Sequence, residues 1–158
     1  SFSYEDIVSG ILNVDWPGRL QHLTCGPLVA HLPRGWELWI DGGHNAGAAT
    51  TLALQASIWK DKPLYAIIGM IKSKDPASFI LPLAPHLKVI FAVSIKGEDA
   101  SLSANKLAKM LRENGLECQP QPSIDVAITN LINKSKVPAR ILICGSLYLA
   151  GRVLLENH

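Results

Sequence analysis

The sequence has 158 residues, of which 48% are hydrophobic and 18% are charged. This length suits one globular domain with a sizeable core, and the composition excludes a disordered or fibrous chain. Fifteen Lys and Arg against thirteen Asp and Glu leave a net charge of +2, and the basic residues are scattered singly. The sequence therefore excludes a general binder of nucleic acids or other polyanions.

Three cysteines, Cys25, Cys118 and Cys144, are too widely spaced for a disulfide framework or a zinc cluster. We expect reduced thiols without a catalytic duty, no metal site on this chain and a cytoplasmic location. Residues 79–95 form the most apolar stretch, but prolines and charges interrupt it, so we expect no membrane span. The acidic start, SFSYEDIVSG, is not a signal peptide. It lacks Met, which favours a piece of a longer protein.

The first forty residues predict a short helix and then an antiparallel ribbon. Ser3 and Asp6 have the S-x-x-D form of a helix start. Strand-like runs follow at residues 21–24 and 28–32, and a Pro-Arg-Gly turn signal leads into residues 36–41.

From residue 36 onward, apolar runs alternate with helical patterns. The runs at 36–41, 64–69, 88–93 and 140–145 have the near-continuous apolar character of parallel strands covered on both faces. A helix is predicted from about residue 103 to 114, with Gly115 as its stop. Three more helix faces are predicted by spacing: Ala46, Ala49, Thr50, Ala53 and Leu54; Ile124, Ala127, Ile128, Leu131 and Ile132; Leu147, Ala150, Gly151, Leu154 and Leu155. We predict an α/β fold: a Rossmann-like, mostly parallel sheet with helices on both faces and an antiparallel N-terminal ribbon.

Ligands of open α/β sheets bind at the carboxyl ends of the strands. The first parallel strand ends in I-D-G-G-H-N-A-G at 40–47, where glycines and a helix N-terminus favour an anion. Phosphate would repel a carboxylate, so Asp41 suits ribose hydroxyls, a metal or an ammonium group. His44 can donate to a phosphate or carboxylate. With equal weight, Asp41 or Asn45 only caps the helix and His44 is solvated.

Two further strand ends carry polar residues with ordinary structural explanations. Lys74 and Asp75 follow the second parallel strand, where solvated loop charges are the commoner case, and Pro76 suits the first position of a helix. Ser146 follows the last strand, and a helix cap is its commoner role. Arg19, after Trp-Pro-Gly, has no obvious packing role and suits bidentate phosphate recognition. Neither a G-x-G-x-x-G fingerprint nor a G-x-x-x-x-G-K-[ST] phosphate loop occurs in the chain.

Four motifs together resemble a known family: W-P-G-R-L-Q at 16–21, I-D-G-G-H-N at 40–45, K-D at 74–75 and C-G-S-L-Y-L-A-G at 144–151. In this order they are similar to the C-terminal domain of folylpolyglutamate synthase and dihydrofolate synthase, in the Mur ligase superfamily. The family usually has Ala or Val where Gly43 stands and Pro where Ala46 stands. Neither difference removes a functional side chain.

The resemblance implies an ATP-dependent ligase of folate biosynthesis and one-carbon metabolism, which joins L-glutamate to a pteroate or folate carboxylate through an acyl phosphate. Residues 1–158 would form its C-terminal domain, with residues 1–15 as a linker from a missing N-terminal ATP-binding domain. That domain would bind most of the ATP and Mg²⁺, so this chain alone is expected to be inactive. We expect a monomer that binds neither nucleic acid nor membrane.

By the motif match, Arg19 and Asp41 contact ATP, and His44 is a catalytic residue. His44 and Ser146 match positions on the glutamate and phosphate side of the cleft, where Lys74 and Asp75 also match a family motif without an assigned role. Three alternatives stay open: a peptidoglycan Mur ligase domain, a stand-alone nucleotide-binding or oxidoreductase module, and a domain kept only for protein interaction.

Overall fold

The computed structural model describes Ser3, Asp6 and residues 20–158. Asp6 is helical, and the predicted helix start is confirmed by a reciprocal cap. The Asp6 N–H donates to Ser3 Oγ at 3.1 Å, and the Ser3 N–H donates to Asp6 Oδ2 at 3.2 Å. The rest of that predicted helix, and the W-P-G-R motif with Arg19, lie outside the described residues.

Six strands form one sheet in the order β1-β2-β6-β3-β4-β5. The antiparallel β1–β2 pair confirms the predicted ribbon, and the other four pairs are parallel. Each predicted parallel strand forms within one or two residues of its expected ends. The strands are β1 (Gln21–Leu23), β2 (Glu37–Ile40), β3 (Leu64–Ile68), β4 (Val89–Ala92), β5 (Gln119–Pro120) and β6 (Arg140–Cys144).

Helices cover both faces of this sheet, as predicted. The helices are α1 (Pro27–Ala30), α2 (Ala46–Ile58), α3 (Pro76–Ile80), α4 (Ala104–Glu113), α5 (Ile124–Lys134) and α6 (Leu147–Glu156). Side chains of α2, α3 and α4 share one apolar cluster, and those of α1, α5 and α6 share the other. Gly115, with φ +81°, ends α4 as predicted. Among the described residues, no helix is long and apolar enough to cross a membrane.

Two elements differ from the sequence prediction. The run at 28–32 was expected to be a strand, but α1 forms there because Pro27 suits a first helical turn. In addition, Asn157 Oδ1 accepts the Leu28 N–H at 2.8 Å, a contact from the far end of the chain. Strand β5 was not predicted, because it has only two residues and ends in a proline.

The predicted inward face of α2 is wrong. Ala49, Leu52 and Ala56 are buried, whereas Leu54 is 66% exposed. The helix contains no charged residue and carries apolar side chains on several sides. Several apolar faces therefore satisfy helical spacing equally well. The face that includes Leu52 is the one that packs against the sheet.

At the amino end of the sheet, Arg140 lies at the centre of an ion-pair network. Its guanidinium donates to both carboxylate oxygens of Glu37 at 3.0 and 3.1 Å, and to Asp61 at 3.1 Å. It also lies 4.6 Å from the ring centroid of Trp59. Lys62 Nζ completes the network with a 2.8 Å contact to Glu37. This network is at the edge opposite the strand ends that carry the predicted site.

Candidate functional site

The candidate site lies where the carboxyl ends of β2, β6 and β3 meet. These three strands are neighbours in the sheet, with β6 in the middle. The chain leaves β2 and β3 toward one face, into α2 and α3, but leaves β6 toward the other face, into α6. Connections that diverge in this way open a crevice at the strand ends, which is the usual ligand position in open α/β sheets.

Asp41, the residue after β2, is fully buried at this crevice. Its Oδ2 accepts the Gly43 N–H at 2.7 Å, so the side chain shapes the loop that leads to His44. Its Oδ1 is buried and has no hydrogen-bond partner among the described residues. Burial raises the pKa of Asp41 to about 6, although the Gly43 hydrogen bond opposes that shift. A free, buried acceptor of this kind is suited to a ligand's hydroxyl or ammonium group.

The raised pKa of Asp41 predicts a stability penalty at neutral pH. Because the folded pKa of about 6 exceeds the ordinary 3.8, the unfolding free energy falls as pH rises through this interval. Asp41→Asn removes the ionisation and retains an acceptor for the Gly43 N–H. We expect the variant to gain roughly 1–3 kcal/mol relative to wild type on going from pH 4 to pH 8. Urea denaturation of wild type and variant at the two pH values measures this difference. The comparison cancels the contributions of other titrating groups, and an equal pH dependence of the unfolding free energy in both chains would contradict the prediction.

His44 lines a cavity of about 200 Å³ together with Ile71, Lys74, Ser146, Leu147 and Tyr148. Its Nδ1 is buried without a hydrogen-bond partner among the described residues. Burial, and then the positive charge of Lys74, lower the pKa of His44, so the imidazole is neutral at pH 7. Nδ1 is thus shielded from solvent, while the His44 side chain as a whole is half-buried, and its role stays a prediction.

Gly145 allows β6 to turn into α6 at the floor of the crevice. It adopts φ +110°, and a Cβ there would lie 2.7 Å from the carbonyl oxygen of Gly69. Ser146 follows, almost fully buried, and its Oγ accepts the Tyr148 N–H at 3.0 Å. The predicted cap is confirmed, and the same side chain also lines the cavity.

The structure separates the two residues of the K-D motif. Lys74 lines the cavity, and its backbone N–H closes a turn onto the carbonyl of Ile71 at 3.2 Å. Asp75 is exposed and caps α3, where its carboxylate accepts the Ala77 N–H at 3.1 Å and a hydrogen bond from the Ser78 hydroxyl. These hydrogen bonds lower the pKa of Asp75. Pro76 takes the predicted first helical position.

Of the residues predicted for the site, His44, Lys74 and Ser146 share the cavity, and Asp41 holds the loop just before His44 through the Gly43 N–H. Asn45 caps α2 through a 2.9 Å contact with the Ala48 N–H, as the structural alternative predicted. The apolar and aromatic lining was not predicted: Ile71, Leu147 and Tyr148. Leu147 and Tyr148 directly follow the predicted cap at Ser146, and this position could have indicated that they line the site.

The described residues contain no group of three or more side chains suited to a metal ion. Cys25, Cys118 and Cys144 are free thiols, of which the last two are buried. Burial raises the pKa of Cys118 to about 11 and also raises that of Cys144, the latter with a smaller contribution from Asp41. Both buried thiols are therefore poor nucleophiles.

Residues 30–156 match the family model described as the dihydrofolate synthetase C-terminal domain. The chain belongs to this family. This chain is similar in sequence to part of folylpolyglutamate synthase from Lacticaseibacillus casei, with 25% identity over 149 residues. That similarity covers 94% of this chain but 31% of the relative, so the chain spans about a third of the length of that protein.

Solved structures support the fold of this C-terminal domain. Mycobacterium tuberculosis folylpolyglutamate synthase, complexed with ADP and AMPPCP, superposes with a TM-score of 0.71 at 23% identity, covering 90% of this chain and 32% of that one. The bifunctional folylpolyglutamate synthase/dihydrofolate synthase of Yersinia pestis, complexed with AMPPNP and Mn ion, gives 0.69 at 22% identity, covering 98% and 34%.

Proposed function

We propose that this domain forms one wall of the active site of an ATP-dependent ligase, which joins L-glutamate to a pteroate or folate carboxylate through an acyl phosphate. The observation that carries the proposal is the cavity at the strand ends, where an imidazole, an ammonium group and a buried hydroxyl converge. Donors of these three kinds suit carboxylate and phosphate oxygens. The family membership and the nucleotide complexes of the similar structures support the same reading.

In the proposed reaction, a carboxylate oxygen of the folate substrate attacks the γ-phosphorus of ATP, and ADP leaves. The amine of L-glutamate then attacks the acyl carbon, phosphate leaves, and the amine nitrogen loses a proton. Lys74 and Ser146 would bind the anionic oxygens of glutamate or phosphate. His44, neutral at pH 7 because its pKa is lowered, would donate one hydrogen bond to the same groups.

Two residues of this chain are proposed to serve ATP. Asp41 would accept hydrogen bonds from the ribose hydroxyls through Oδ1, which has no partner among residues 20–158, and the loop at 41–44 would have to admit the nucleotide. Arg19, outside the described residues, would offset phosphate charge through its planar guanidinium. As the family resemblance implies, Mg²⁺ and most of the ATP contacts would belong to an N-terminal domain of the same enzyme, joined through residues 1–15.

Asp75 stands apart from this assignment. The sequence placed it on the glutamate and phosphate side, but its carboxylate is directed to the start of α3. A carboxylate would also repel these anions. We propose a cytoplasmic, monomeric enzyme, with glutamate, ATP and a folate or pteroate as its ligands.

The proposal predicts ATP-dependent ligation by the intact enzyme that carries this domain. Incubation with ATP, Mg²⁺, L-glutamate and dihydropteroate or folate should release one ADP for each new amide bond. The 158-residue chain alone should release none, because it contains no phosphate loop. Asp41→Ala in the intact enzyme should mainly raise the KM for ATP, which is the sign of lost ground-state binding.

Three outcomes would overturn this function in favour of the alternatives. Turnover only with amino-sugar peptide substrates would indicate a peptidoglycan Mur ligase. Saturable binding of NAD by the chain would favour an oxidoreductase module. Full activity of an enzyme from which this domain has been replaced by an unrelated one would leave it only an interaction role.

A further inference from the structure

Residues 95–102, within the loop between β4 and α4, contact the segment that carries Lys74. Immediately after β3, Ile71 pairs with Ser101 in an antiparallel bridge. The Lys72 N–H donates to the Ala100 carbonyl at 2.7 Å, and the Leu102 N–H donates to the Met70 carbonyl at 2.8 Å. Two short backbone hydrogen bonds therefore fix the chain just before the turn that places Lys74 in the cavity.

Ser101 holds this loop in shape with its hydroxyl. Its Oγ accepts the Ile95 N–H at 2.8 Å and donates to the Leu102 carbonyl at 2.8 Å. Ile95 and Leu102 are almost fully buried, so they anchor the two ends of the loop in the core. Without this hydroxyl, the Ile95 N–H and the Leu102 carbonyl lose their partner in a half-buried position, which destabilises the loop.

Internal contacts complete the loop. Gly97 has φ +84° at the tight turn, and the Glu98 N–H donates to the Ile95 carbonyl at 3.1 Å. The Glu98 carboxylate accepts the Ala100 N–H at 3.1 Å. Because the loop satisfies its own backbone groups, it can serve as a rigid support for the neighbouring segment.

We propose that residues 95–102 position Lys74, and that Ser101 is the positioning residue through which they act. Ser101 does not line the cavity. Its hydroxyl keeps the loop in the conformation that forms hydrogen bonds with residues 70–72. This segment in turn places the Lys74 side chain in the cavity with His44. The inference rests on the proposed function only where it concerns catalysis, since the positioning itself can be measured in this chain alone.

The first test follows the pKa of His44 by NMR in the 158-residue chain. Lys74 lowers this pKa, so Lys74→Met should raise it toward its ordinary value, and Ser101→Ala should move it in the same direction. Ser101→Thr retains the hydroxyl and should leave it as in wild type. Ser94→Ala is the matched control, because Ser94 Oγ lies in the same loop but accepts the Ala104 N–H at the start of α4. A wild-type pKa of His44 in a folded Ser101→Ala chain would overturn the proposal.

The second test measures glutamate kinetics in the intact enzyme. Ser101→Ala should raise the KM for L-glutamate roughly 3- to 30-fold, with a smaller effect on kcat and none on the KM for ATP. An equal loss for all substrates would indicate a general folding defect and contradict a positioning role. If the His44 pKa moves but the enzyme does not ligate glutamate, the proposed function fails while the positioning of Lys74 stands.

Discussion

Replacing His44 with Ala should lower kcat of the intact enzyme by about 100-fold or more, as removal of one oriented donor commonly does. The expected effect is large because His44 faces the cavity with Lys74 and Ser146 and is held neutral by burial. Since such a donor strengthens its contacts as charge develops, kcat should fall more than the KM for glutamate rises. Steady-state kinetics with each substrate varied in turn measures both parameters.

His31→Ala provides the matched control, because His31 is an exposed histidine at the end of α1, away from the cavity. Its kinetics should equal those of wild type, and circular dichroism should confirm that both variants fold. If His44→Ala leaves kcat and the glutamate KM within about twofold of wild type, a change near 0.4 kcal/mol, then His44 has no role in the reaction.

The second large effect is on stability: Arg140→Ala should reduce the unfolding free energy by about 3–5 kcal/mol. The Arg140 side chain is 5% exposed and pairs with Glu37 and Asp61, so its removal leaves a partly buried carboxylate without its main partner. Chemical denaturation of the 158-residue chain measures the loss. Arg34→Ala removes an exposed arginine instead and should cost less than about 0.5 kcal/mol.

The pH dependence of stability provides an independent check on this network. Burial raises the pKa of Glu37, but hydrogen bonds from Arg140, Lys62 and Trp39 outweigh it and lower that pKa to about 2. The resulting stabilisation is present above the ordinary pKa of 4.5 and is lost as pH falls toward 2. In Arg140→Ala, the unfolding free energy should fall less steeply over this acidic range than in wild type. An equally steep fall would show that Arg140 is not what stabilises the Glu37 carboxylate.

The parallel strands were predictable because burial on both faces leaves an unbroken apolar run, as in Leu64–Ile68 and in the four residues that follow Arg140 in β6. The inward face of α2 was not, because a helix without charged residues offers no polar stripe to mark its outer side. The short helix α1 was only partly predictable: Pro27 is a local signal for its first turn, but Asn157 caps it from the other end of the chain.

The candidate site was likewise predictable only in part. Each strand end was identified from its own residues, and the parallel topology brings them together. Two facts depended on the assembled fold: the burial that leaves Asp41 Oδ1 and His44 Nδ1 without a partner in the described part of the chain, and the turn of Asp75 toward α3 while Lys74 faces the cavity. Burial and orientation arise from contacts between distant segments, which spacing along the chain does not encode.

The most direct test of the site is hydrogen exchange in the intact enzyme bound to AMPPNP and a folate substrate, measured with and without L-glutamate. Ligand contacts slow exchange by suppressing local opening. The account predicts that glutamate protects the amides of residues 42–48, 70–75 and 145–149 at the carboxyl edge, and leaves residues 59–63 at the opposite edge unchanged. Protection confined to residues 59–63, or no change in any of these loops at saturating glutamate, would contradict it.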